Sequence, residues 1–206
     1  YLYAGRKVSV IVSFAILLGY WALLALVRAP DASPEVSVFA MEGSIVGYID
    51  RLFLPGTLHS GIHDPEGILS TLPAVVTAMA GIFAGEFVRQ SKVNEYKKVG
   101  IMLFASLALL VLGYVWGMVF PINKNLWTSS FVLFAAGWSL FLFTLFYLII
   151  DVIGLKRWSF FFRVIGMNSI TIYLLPQFVD FHKPVQAVFG GFISLFPEQY
   201  YPSLYR

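Results

Sequence analysis

The feature that most limits what this chain can become is a series of long apolar runs almost free of charge. The segments 8–27, 68–88, 99–120, 127–151 and 165–181 each hold 17 to 25 residues. A helix rising about 1.5 Å per residue needs about 20 residues to cross a hydrocarbon core roughly 30 Å thick. Each run is therefore expected to be a transmembrane helix. A sixth segment, 184–196, is shorter and reads as a tilted, interfacial or partial span. With 59% apolar and 12% charged residues among 206, a soluble domain is excluded. The expected fold is an all-α integral membrane protein, a polytopic bundle of about six helices in a single membrane domain over 1–206.

The first run follows Tyr1 almost at once and has no cleavage-site pattern behind it, so it reads as a span and not as a signal peptide. A first residue other than Met is read as the mark of a piece of a longer protein. The sequence contains no cysteine, which leaves this piece without a disulfide or a thiol nucleophile. Its net charge is only +3, and no nucleic-acid partner is expected.

The placement of charge says more than its sum. Arg6 and Lys7 precede the first run, Arg89, Lys92, Lys97 and Lys98 lie between the second and third, and Lys156, Arg157 and Arg163 lie between the fourth and fifth. The remaining connections carry only Arg28, Arg51, Lys124 and Lys183. Cytoplasmic loops are enriched in Lys and Arg, so 28–67 and 121–126 are expected on the extracytoplasmic side. The basic clusters read chiefly as topology anchors on anionic lipid, with a phosphate-bearing cofactor as the sharper alternative.

The 28–67 connection holds Asp31, Glu35, Glu42, Asp50, Asp64 and Glu66. Connections this long are usually functional or disordered. Within it, 44–54 reads as a short amphipathic helix lying on the membrane surface, followed by a turn at Pro55-Gly56.

Two polar motifs stand at the mouths of apolar runs. In Asp64-Pro65-Glu66-Gly67, Asp suits a helix N-cap, Pro the first helical position, and Glu the positive end of the dipole. Pro73, about two turns further on, would then remove a backbone hydrogen bond and kink the helix. Broken helices at membrane depth often line cavities and mark binding sites in transporters. On the same run, Ala74, Ala78, Gly81 and Gly85 form a small-residue face expected to pack closely against another helix.

The second motif, Asn123-Lys124-Asn125, precedes Trp127. An interfacial turn accounts for Pro121, Lys124 and Trp127, but not for the two asparagines. Asn offers donor and acceptor together and Lys a point charge, a set suited to sugar hydroxyls or a developing oxyanion. Asn168, Ser169 and Thr171 form a third polar patch, read as interhelical glue or as a cofactor contact. His59 and His63 stand four apart, but Gly61 breaks the helix that would bring them together, so no metal site is expected. His182 reads as an ordinary loop histidine.

Four stretches together carry a family resemblance: Gly47-Tyr48-Ile49-Asp50-Arg51-Leu52, Asp64-Pro65-Glu66-Gly67-Ile68-Leu69, Asn123-Lys124-Asn125-Leu126-Trp127 and Gly166-Met167-Asn168-Ser169-Ile170. In order and spacing they resemble the carboxy-terminal half of the heparan-alpha-glucosaminide N-acetyltransferase family. That resemblance extends to bacterial members often labelled N-acetylglucosamine-related transporters.

It implies half of a membrane acetyltransferase of roughly eleven spans, in a bacterial inner membrane. Such an enzyme takes acetyl-CoA from the cytoplasm and acetylates an amino sugar or glycan on the other side. Asp64, Glu66, Asn123, Lys124, Asn125 and Trp127 would then bind the acceptor, and Asn168 the acyl donor. The chain departs from the family at Leu174-Leu175-Pro176-Gln177, where a histidine is expected, which makes Gln177 the replacement contact. The catalytic histidine would come from the amino-terminal half of the same protein, so this piece alone is expected to be inactive. Homodimer formation stays open, as does the alternative of a sugar transporter without covalent chemistry.

Overall fold

The computed structural model describes residues 5–58 and 61–180. Expectations at His59, His182, Lys183 and 184–196, and for the side chain of Gln177, lie outside the described residues. The chain divides into two compact units, Tyr1–Gly154 and Leu155–Arg206.

The first unit contains α1 (Gly5–Leu26), α2 (Ile45–Phe53), α3 (Thr71–Val88), α4 (Glu95–Gly117) and α5 (Ser129–Tyr147), the last prolonged by a π-helical turn over Leu148–Val152. Among the described residues four helices are long and apolar enough to cross a membrane: α1, α3, α4, and α5 with its extension. The all-α membrane class stands, and these four match four of the expected runs to within a few residues at each end.

Local chemistry sets where the helices begin. Ser44 Oγ accepts the Val46 N–H at 3.2 Å and opens α2. Asn94 Oδ1 accepts the Tyr96 N–H at 2.9 Å and opens α4. Thr128 Oγ1 takes the Phe131 N–H at 3.4 Å at the start of α5.

The start of α3 differs from the expectation. Asp64-Pro65-Glu66-Gly67 does not begin the helix. It closes a β-turn, with the Gly67 N–H donating to the Asp64 carbonyl at 3.1 Å and the Glu66 N–H donating to Asp64 Oδ1 at 2.9 Å. Asp, Pro and Gly at the first, second and fourth positions also suit a type I turn. The helix opens only at Thr71, so Pro73 is its third residue. There the amide has no intrahelical acceptor in any case. The proline breaks no hydrogen bond, and α3 runs unbroken to Val88.

Helices α4 and α5 form the tightest pair. A Cβ on Gly113 would lie 2.6 Å from the Phe134 backbone nitrogen, and one on Gly137 2.9 Å from that of Leu110. By contrast, a Cβ on Gly81 or Gly85 would meet nothing within 4 Å. At these two glycines, among the described residues, the close packing expected along α3 is absent.

A buried apolar cluster of Tyr20, Leu24, Ile45, Val46, Phe120 and Leu126 closes one end of the bundle, with Met41 and Leu69 packed against it. It draws on α1, on α2, on the chain leading into α3 and on the connection between α4 and α5. The two motif-bearing connections therefore share one end of this unit.

In the second unit the expected fifth span is not one helix. It forms α6 (Phe160–Met167) and α7 (Ser169–Phe178), separated at Asn168 with φ −111° and ψ 23°. The Asn168 N–H donates to the carbonyls of Val164 and Ile165, ending α6. Asn and Ser compete with helical hydrogen bonding and favour such ends. At 8 and 10 residues the two helices are about 12 and 15 Å long, too short to cross a bilayer singly.

Candidate functional site

Helix α2 organises the end where the two connections meet. Its sequence puts Ile45, Val46 and Gly47 against the core and leaves Leu52 and Phe53 exposed. The same inward face carries Asp50, whose residue is 0% exposed. The Asp50 carboxylate accepts the Ile68 N–H at 3.1 Å and the Asp64 N–H at 3.4 Å. Gly67 lies between these two, and a Cβ there would overlap the carboxylate oxygens. One buried acid on α2 thus shapes the whole Asp64–Gly67 turn.

Arg51, the next residue, is half-buried and ties down two further segments. Its Nε and Nη2 donate to the Asp31 carboxylate at 2.8–3.0 Å, and its Nη1 donates to the Ile62 carbonyl at 2.7 Å. The forked guanidinium is suited to this, since it can grip a carboxylate with two donors and still spare a third. Arg28 adds a bond to the Val36 carbonyl.

The second connection is built from its own side chains. Asn123 Oδ1 accepts the Asn125 N–H at 2.9 Å, and the Trp127 N–H donates to the Lys124 carbonyl at 3.2 Å, closing a turn. Thr128 Oγ1 donates to the Pro121 carbonyl at 2.9 Å and accepts the Asn123 N–H at 3.0 Å. Trp127 has φ +49°, a left-handed conformation that a bulky side chain adopts only under constraint. The constraint is visible: its Nε1 donates to Thr77 Oγ1 on α3 at 3.3 Å, and its ring packs edge-on to Phe131.

One contact joins the two connections, and another ties the second connection to α1. Asn125 Nδ2 donates to Met41 Sδ at 3.4 Å, and the buried Tyr20 hydroxyl donates to the Leu126 carbonyl at 2.6 Å. Tyr20 also lies within electrostatic reach of Asp50.

The residues singled out in the sequence divide by what their side chains do. Asp64 and Asn123 support their own turns. Asn125 is half-buried and reaches across to Met41, and Trp127 is half-buried against α3 and α5. Glu66 and Lys124 are exposed. Asn168 is exposed in the second unit, with Nδ2 donating to the Val164 carbonyl at 2.8 Å. Two clefts are described, one between α1 and α3 and one among α3, α4 and α5, and neither is lined by the residues of the two motifs. Among the described residues no group of three His, Cys, Asp or Glu is placed to hold a metal.

Sequence reasoning assigned no role to Asp50, Arg51 or Tyr20, and took His63 for an ordinary loop residue. Asp50 did leave a signal: an acid in the last turn of a short helix opposes the dipole, so it calls for donors from elsewhere. His63 is 1% exposed, and neither ring nitrogen has a hydrogen-bond partner. It sits between Ile62 and Asp64, which Arg51 and Asp50 hold from either side.

Fold and site together define a segment of a polytopic α-helical membrane protein in which one long and one short connection meet at the same end. Such a segment is similar to heparan-alpha-glucosaminide N-acetyltransferase from Homo sapiens, at 33% identity over 164 residues, which is 70% of this chain and 24% of that protein. It is 32% identical to the Mus musculus protein of the same name over 166 residues, again 70% and 24% of the two chains. The chain thus spans about a quarter of the length of the curated relatives it matches. No protein-family model matches it.

Proposed function

We propose that this chain is the carboxy-terminal membrane portion of a bacterial inner-membrane acyltransferase. The whole protein moves an acetyl group from cytoplasmic acetyl-CoA to an amino sugar or glycan on the extracytoplasmic side. The observation behind this reading is the end where the two connections meet. It carries Glu66, Lys124 and Asn125 on two turns held by the Asp50 carboxylate and the Tyr20 hydroxyl. The named relatives support the acetyltransferase class.

In this reading Glu66 and Asp64 attract the ammonium or hydroxyls of the acceptor. Lys124, with the side-chain amides of Asn123 and Asn125, faces the acetyl carbonyl as negative charge develops on its oxygen. Preorganised donors of this kind act strongly where water is excluded. Trp127 forms an apolar wall for the sugar ring. Asn168 and Gln177 contribute to holding the acyl donor, and the general base comes from the amino-terminal half. The transport alternative drew on a kinked second span and on an outward polar vestibule, and with α3 unbroken it rests on the vestibule alone.

The test uses the full-length protein in vesicles with labelled acetyl-CoA and glucosamine. Acetylated product and free CoA should appear together, and Asn125→Ala should lower kcat about 100-fold. Sugar uptake without CoA release would replace this reading with transport.

A further inference from the structure

The glycine face of α3 opens onto a cleft of about 380 Å³ among α3, α4 and α5. Thr77, Gly81 and Gly85 form one wall, Ser139 and Phe143 the opposite one, and Leu109 the back. At its upper end Thr77 is tied to Trp127, and the Val76–Val132 contact closes α3 onto α5. From there the cleft runs to Gly85, with Arg89 one helical turn beyond.

We propose that this cleft holds a single acyl chain of an anionic phospholipid, whose headgroup rests on the basic turn between α3 and α4. The size argues against a helix. A helix about 10 Å across and 18 Å long, the span from Thr77 to Arg89, fills on the order of 1,400 Å³, more than the cleft offers. A slim chain fits. The lining argues against an amide-bearing arm, because two hydroxyls among small and apolar side chains leave buried amides short of partners.

Charge complementarity selects the headgroup. Arg89, Lys92 and Lys97 are all exposed at the foot of the cleft. The nearby Lys98 is buried and committed to the Val88 carbonyl and to Glu95, and Glu95 is itself held by the Tyr147 hydroxyl. The acids here are Glu95, half-exposed on α4 and held by Lys98 and Tyr147, and Glu86, half-buried on α3, so the three exposed cations outnumber them. Clustered basic residues beside a membrane helix attract anionic lipid.

Native mass spectrometry of the full-length protein tests this, after incubation with equal phosphatidylglycerol and phosphatidylcholine. The wild type should retain one phosphatidylglycerol, at least fivefold in preference to phosphatidylcholine. Gly85→Leu, which fills the cleft, should cut retention at least fivefold. Arg89→Gln combined with Lys92→Gln and Lys97→Gln should bring the preference close to one. If Gly85→Leu does not give a monodisperse protein, the charge variant decides.

Unchanged retention in Gly85→Leu overturns the proposal, as does an undiminished preference in the charge variant. Displacement of the lipid by saturating acetyl-CoA overturns it too, assigning the cleft to the acyl donor. Acetyl transfer measured on the same preparations reads the acyltransferase proposal separately.

Discussion

Helix α5 meets α4 and α3 in opposite ways. Along α4 the backbones nearly touch, with glycines 113 and 137 each facing main-chain atoms of the other helix. Along α3 contact is made near Val76 and Thr77 and then lost, so that glycines 81 and 85 face open space. Both seams contain small residues at helical spacing. A glycine permits close approach, and only the neighbour's position shows whether the permission is used. The short connection between α4 and α5, stiffened by its Asn123 and Thr128 bonds, forces the first pair together. No connection constrains α3 and α5 in the same way.

The strongest challenge to this contrast is to enlarge a glycine in each seam. Gly113→Leu or Gly137→Leu places side-chain atoms into backbone that has no room to retreat. Overpacking of this kind costs about 3 kcal/mol or more, and the thermal unfolding midpoint of the full-length protein in detergent should fall accordingly. Gly85→Leu meets open space and should change stability by less than about 1 kcal/mol. Equal losses in the two seams would erase the distinction.

Gly67 is an intermediate case, because its close neighbour is the Asp50 carboxylate and not a backbone atom. Gly67→Ala should cost about 2 kcal/mol by displacing that carboxylate from the Ile68 and Asp64 amides. Asp50→Ala should cost about 3 kcal/mol, since it leaves buried donors unpaired. The double variant should cost less than the sum, with a coupling of at least about 1 kcal/mol. Strict additivity in a double-mutant cycle would mean that Gly67 is constrained by something else.

These cases also mark what the sequence could reveal. The four long spans were legible because crossing a hydrocarbon core sets a length that composition alone can meet. The helix over 44–54 was legible too, because the stretch alternates too poorly for a strand and suits an amphipathic helix. The start of α3 was not: Asp-Pro-Glu-Gly satisfies both a helix N-terminus and a type I turn, and the choice is made by Asp50, 14 residues upstream of Asp64. The break at Asn168 was hidden inside an apolar run long enough to span, because length says nothing of a local end. At the site, the asparagines stood out as excess polarity beside a membrane helix. Their partners did not, since the bonds from Asn125 to Met41 and from Arg51 to Asp31 join positions that no local pattern relates.

A smaller effect concerns the point where α3 and α5 still touch. Thr77→Val keeps the shape of the side chain but removes the acceptor for Trp127 Nε1. The loss should be about 1 kcal/mol, visible as a modest fall in the unfolding midpoint. If stability is unchanged, the left-handed Trp127 is held by Phe131 packing and its turn alone, and the upper limit of the cleft is not fixed by Thr77.

The smallest expected change is the most discriminating. Ala in place of Gly81 or Gly85 adds one methyl group to a helix face with nothing within 4 Å. Glycine is about 0.8–1.0 kcal/mol less favourable than alanine inside a helix, so each substitution should leave stability unchanged or raise it by up to about that amount. The comparison is made by thermal unfolding of the full-length protein, where every other helix is present. A loss of more than about 1 kcal/mol at either position would show that another helix closes tightly on this face. The close packing expected from the sequence would then be restored at α3, and with the cleft filled by protein there would be no space for a lipid chain.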